Sequence, residues 1–256
     1  DGSITDGTAA SLDDLNISFS AGEGAASGQI DINENIITSG GSFTARNNAG
    51  GLANEDFDLA ASKVIDTSGA NANVGVGFVA QAGGVIDIQV TGQLNMQGNL
   101  DSSGGNQDAT NAGVVGGNVT LATSNAAAKV VVKGDITTDG GDAFSAGGAQ
   151  NGGNAGTITI TSGNALIEFD SSLVGNNVDI SSAGGALAAG GNAGAGGAIT
   201  LNDNVSIING PTAITTGTTA GVIDFTQALD STDASNLTLL AGTGNINFDA
   251  NVGNTN

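Results

Sequence analysis

The chain has 256 residues with 25 acids against 4 bases, a net charge of −21, 39% apolar content, 44 glycines, one proline, and no Cys, His, Trp or Tyr. Clustered cations, needed for nucleic acid or an anionic membrane, are missing, since the bases are the scattered Arg46, Lys63, Lys129 and Lys133. Disulfides, thiolate or imidazole zinc sites and Ser-His or Cys-His nucleophiles are excluded by composition.

Taken in order, the chain is a series of short runs in which apolar and polar residues alternate, the period of a half-buried strand. Leu15, Ile17 and Phe19 read as a leading strand. Two anchors then interleave. The first is aliphatic, Asp or Thr, aliphatic: Ile30-Asp31-Ile32, Phe57-Asp58-Leu59, Ile86-Asp87-Ile88, Val119-Thr120-Leu121, Ile158-Thr159-Ile160, Ile199-Thr200-Leu201 and Ile223-Asp224-Phe225. The second is an aliphatic residue, two small polar residues and a nearby Gly: Ile37-Thr38-Ser39, Ile65-Asp66-Thr67, Leu100-Asp101-Ser102, Ile136-Thr137-Thr138, Ile180-Ser181-Ser182 and Ile214-Thr215-Thr216. From the third unit a middle strand lies between them, at Leu94/Met96, Val130/Val132, Ile167/Phe169 and Val205/Ile207. In the first two units Phe43 or Phe78 is the candidate third side. Leu237, Leu239, Ile246 and Phe248 continue the pattern near the end.

The interval between first anchors varies, from 24 residues (Ile199 to Ile223) to 41 (Ile158 to Ile199). The surplus collects after the second anchor, at Gly104–Gly117, Gly140–Gly156 and Gly184–Gly197, so it belongs at one corner, where length costs little closure entropy. Repeats that cannot bury an apolar face alone, but share one by stacking, predict an all-β, single-stranded parallel β-helix: a β-solenoid of about seven coils, three strands per coil, with Gly-rich loops on one edge. The expected organisation is one solenoid domain over 1–256: 1–28 a leading strand and first turn, 29–225 regular coils, 226–256 a terminal coil. A Gly-rich chain without sustained helical periodicity argues against helix. An antiparallel sandwich would want two-residue turns between paired strands, and only Asn209-Gly210 lies near a hairpin. A chain starting at Asp1 and lacking a signal peptide reads as a mature or excised piece.

GGNAGAGGAITL (Gly190–Leu201), NAGTITITSG (Asn154–Gly163) and NLTLLAGTGNINFDANVG (Asn236–Gly253) resemble the Gly-rich strand repeats of large bacterial surface proteins, the filamentous-haemagglutinin-like and autotransporter-type adhesins. The resemblance covers most of the chain and is one of repeat style. It implies a right-handed helical shaft outside the cell, serving adhesion, cell–cell contact or matrix. The Asn-Pro-containing secretion motif of that family has no counterpart, the one proline being Pro211, and no site residue carries over.

Chemistry is sparse. Carboxylates without basic or aromatic partners are a weak basis for a glycan-cleaving site. If outward positions align, Asp58 stacks beside Asp87 and Asp66 beside Asp101; like charges so placed repel, and a calcium ion between them is the one candidate cofactor. Solvated acids on a rod are the plainer reading. Most phenylalanines fall in the interior register, while Phe144 sits in a Gly/Ala loop. The sequons at Asn16, Asn118, Asn204 and Asn236 lie in or beside strands and read as coincidence. The expectation is a non-enzymatic extracellular structural protein, a shaft segment of a surface adhesin or surface layer at the bacterial cell surface. Its partners would be adjoining coils of a longer chain, other copies, or cell-surface and glycan ligands. The alternatives are a filament subunit polymerising end to end through uncapped coils and, third, a polysaccharide-active enzyme.

Overall fold

In the computed structural model, residues 4–5, 14–22, 28–47, 55–72, 79–107, 111–143, 149–173 and 177–253 are described. They form three parallel sheets and no helix. Sheet 1 stacks eight strands: Ile4–Thr5, Ile36–Ile37, Val64–Asp66, Asn99–Asp101, Ile136–Thr137, Val178–Ser181, Thr212–Thr215 and Leu237–Leu240. Sheet 2, also eight, holds Ile17–Ala21, Phe43–Asn47, Ile86–Val90, Val119–Thr123, Ile158–Thr161, Ile199–Leu201, Ile223–Phe225 and Ile246–Phe248. Sheet 3, of seven, holds Ile30–Ile32, Glu55–Leu59, Gln93–Met96, Val130–Val132, Leu166–Asp170, Asn204–Ile208 and Leu229–Ser231. The chain visits the sheets in the order 1, 2, 3 and repeats, which is the expected β-solenoid.

The alternation in sequence explains the packing. Inward positions superpose coil on coil: Ile86, Val119, Ile158, Ile199 and Ile223 form one column, and Ile88, Leu121, Ile160, Leu201 and Phe225 another. All ten are fully buried. Three phenylalanines from sheets 2 and 3, Phe19, Phe43 and Phe57, meet edge to face near one end, with centroids 5.7 and 6.4 Å apart; Phe225 stacks on Phe248 at 5.1 Å near the other. Such pairs add to the stabilisation from burial.

Two assignments from the pattern are corrected. Ile30–Ile32 and Phe57–Leu59 belong to sheet 3, pairing with each other and then with Gln93–Met96, so they are not equivalents of Ile86. Phe43 takes the place opposite Ile86, in sheet 2. The confusion is physical: strands of sheets 2 and 3 both need aliphatic–polar–aliphatic, and only corner length distinguishes them. In the first of these coils that corner is the short 38–42. Second, Ile36 and not Ile37 aligns with Ile65, a slip of one residue that places Thr38 level with Thr67. Phe78 and Phe144 lie outside the described residues.

The Gly-rich loops expected on one edge are the corners between sheets 1 and 2, and their described residues are ordered. Each runs out from sheet 1 and returns to sheet 2 as two extended legs, and like legs bond from coil to coil. On the outgoing side Gly69 N–H donates to Ser103 O (2.8 Å), Gly104 to Asp139 O (2.8 Å) and Gly140 to Ala183 O (2.9 Å). On the return side Gly83 donates to Val115 O (3.0 Å), Gly116 to Asn154 O (2.9 Å) and Gly152 to Asn192 O (2.9 Å). Stacked, the corners make a two-layered fin along one edge. Exposure along a return leg recurs every third residue, at Asn151, Asn154 and Thr157, the repeat of an extended polyproline-II-type helix. Of each three positions one faces solvent, one the other leg and one the neighbouring coil. Gly69 illustrates the second: a Cβ there would overlap Gln81 O of the return leg. Gly156 illustrates the third, since its Cβ would overlap Gly117 O one coil away.

Candidate functional site

Where fin meets barrel, a column of small hydroxyl residues is completely buried: Thr38, Thr67, Ser102, Thr138, Ser182 and Thr216. Thr67 Oγ1 donates to Gly84 O (2.9 Å), and Gly84 N–H donates back to Thr67 O (2.7 Å). Ser102 and Gly117 repeat this two-way clasp (2.8 and 2.6 Å), as do Thr138 and Gly156 (3.2 and 2.8 Å). Thr216 Oγ1, at the shorter corner 216–222, has no acceptor among the described residues. These are the small polar residues of the second anchor; their role is to fasten the fin's neck where no side-chain core reaches.

A second set consists of asparagine and aspartate ladders. The side-chain oxygen of one coil accepts the backbone N–H of the next: Asn71 from Asn106, Asn106 from Asp142 and Asp142 from Ala186, each at 2.7 Å, on the outgoing legs. On the return legs Asn118 accepts from Thr157 (2.8 Å), Asn151 from Asn192 (2.8 Å) and Asn154 from Ala195 (2.9 Å). Asn99 and Asp135 do the same at the start of sheet 1. The sequons at Asn16, Asn118 and Asn204 have this origin. A ladder amide, an inward aliphatic and an outward hydroxyl spell Asn-x-Ser/Thr, and all three accept from the next coil.

All four bases pair with acids on a neighbouring coil: Arg46 with Asp87, Lys63 with Glu34 (3.2 Å), Lys129 with Glu168 (2.9 Å) and Lys133 with Asp170 (2.7 Å). Asp170 is the most enclosed carboxylate of the four. Burial pushes its pKa up, but bonds from Lys133, Asn209 and Ser172 outweigh that and hold it below the usual range. Asp135 is raised, first by burial and further by the neighbouring Asp179, against the lowering bond from Asp179 N–H.

Of the calcium candidates, the structure brings together Asp66 and Asp101, directly opposite in sheet 1. It does not bring together Asp58 and Asp87. Asp58, in sheet 3, lies between Asp31 and Asn95, and Asp87, in sheet 2, lies between Thr44 and Thr120. Asp58 Oδ1 instead accepts from Asn95 (2.8 Å) and Gln97 (3.0 Å), while Asp87 binds Arg46. Asp66 and Asp101 each accept the N–H of the residue two on, Ser68 and Ser103, at 2.9 Å. Among the described residues no group of three or more acidic, His or Cys side chains converges as a metal cage. A depression of about 380 Å³ near the C-terminal end of the stack lies between Ile207, Leu229, Leu237 and Val252 and is mainly apolar.

The described residues thus define a parallel β-solenoid whose chemistry is hydrogen bonding and charge laid out along a rod. No family model matches the chain, and no solved structure matches it. It is similar to Outer membrane protein A of Rickettsia rickettsii, 29% identical over 236 residues that cover 86% of this chain and 10% of that protein. The chain spans about a tenth of that relative's length.

Proposed function

We propose that the protein is a stiff structural segment of a bacterial surface protein, a shaft that holds adhesive contacts away from the cell. The observation that carries this is the continuity of the three sheets: neighbouring coils are bonded through all three, and the four coils with long corners again through the fin, so that bending must break whole rungs. The similarity to a rickettsial outer membrane protein supports the surface location, and the strand style supports the adhesin-type class. Leu240, Ile246, Phe248 and Val252 are exposed on the last coil and suit a further coil, from a longer chain or another copy. Electron microscopy with antibody against this segment tests the reading. Rods projecting from intact cells, and loss of cell–cell or cell–surface attachment when the segment is deleted, are expected. Label confined to the cell interior ends it.

A further inference from the structure

No further inference is drawn: the strongest candidate, the open apolar end of the stack where Leu240, Ile246, Phe248 and Val252 stand exposed, is an unpartnered face, and nothing in the structure shows what covers it.

Discussion

At the residue scale the ladders show what a single side-chain oxygen must do, and where charge is a liability. Asn99, Asp135 and Asp179 occupy successive rungs, and both Asn99 and Asp135 accept the next N–H at 3.0 Å. Only an acceptor is needed, so the charge on Asp135 is surplus, and burial with Asp179 alongside raises its pKa. A raised acid costs stability above its folded pKa, and the cost disappears as pH falls and the group protonates. Asp135→Asn should therefore stabilise the protein at pH 7 by roughly 0.5 kcal/mol, the scale of a like-charge pair across strands. The gain should fade below the folded pKa. Melting temperatures from pH 3 to 8 check it; a gain persisting undiminished at pH 3 contradicts the charge argument. Asp101→Asn, directly opposite Asp66, decides the calcium question. If the pair only repels, the variant is more stable at low salt and millimolar calcium shifts neither protein. If calcium bridges the pair, it raises the wild-type melting temperature and not the variant's.

At the element scale the fin behaves as one structure sharing its backbone bonds, and glycine makes the sharing possible. Gly156 N–H bonds Thr138 O across the neck at 2.8 Å while its α-carbon packs under Gly117 O. Gly156→Ala must separate either the legs or the coils, so a loss of at least ~2 kcal/mol is expected, on the scale of overpacking a close-packed site. Ser102→Ala should lose about 1 kcal/mol by freeing one buried carbonyl from its hydroxyl. Ala155→Gly, on the neighbouring position, should change little by comparison. Denaturant melts of the three variants check the order; equal, small effects would mean that the fin is not closely packed.

The same comparison shows what was legible in the sequence. Alternation at Ile158-Thr159-Ile160 fixes faces and strand identity, because inward residues must be apolar. The order of the strands, and hence the solenoid, follows from the anchors' interleaving. Two strands with the same chemical requirement cannot be told apart by composition, which is why the pattern groups Phe57–Leu59 with Ile86–Ile88 and sets Asp58 beside Asp87, whereas Phe57–Leu59 pairs within sheet 3. The fin was legible only as length, since a period of three in Gly-Gly-Asn and Ala-Gly-Thr carries no hydrophobic signal. Its order comes from backbone bonds between like legs of neighbouring coils.

At the scale of the whole molecule, nearest-neighbour stacking makes each coil replaceable by its neighbour. Ile158, Ile160, Ile167, Phe169 and Ile180 sit below Ile199, Leu201, Val205, Ile207 and Ile214 in unbroken register. Removing residues 158–198 joins Thr157 to Ile199, lays Ile199 on Val119, Val205 on Val130 and Ile214 on Ile136, and leaves the Gly140–Gly156 fin intact. The deletion removes Glu168 and Asp170, leaving Lys129 and Lys133 without their partners, and shortens the stack by one rung of ~4.8 Å. A quasi-one-dimensional fold tolerates this: the variant should keep its strand circular-dichroism spectrum, melt cooperatively at a somewhat lower temperature, and scatter as a rod shorter by that rung. Removing residues 158–177 instead discards strands of sheets 2 and 3 while keeping that coil's sheet 1 strand, so the chain re-enters the stack on the wrong side and should lose cooperative melting. If both deletions fold equally well, the coils are not coupled through all three sheets. If neither folds, the stack depends on a contact beyond nearest neighbours, and the stiffness argued from rung-by-rung bonding would need a different origin.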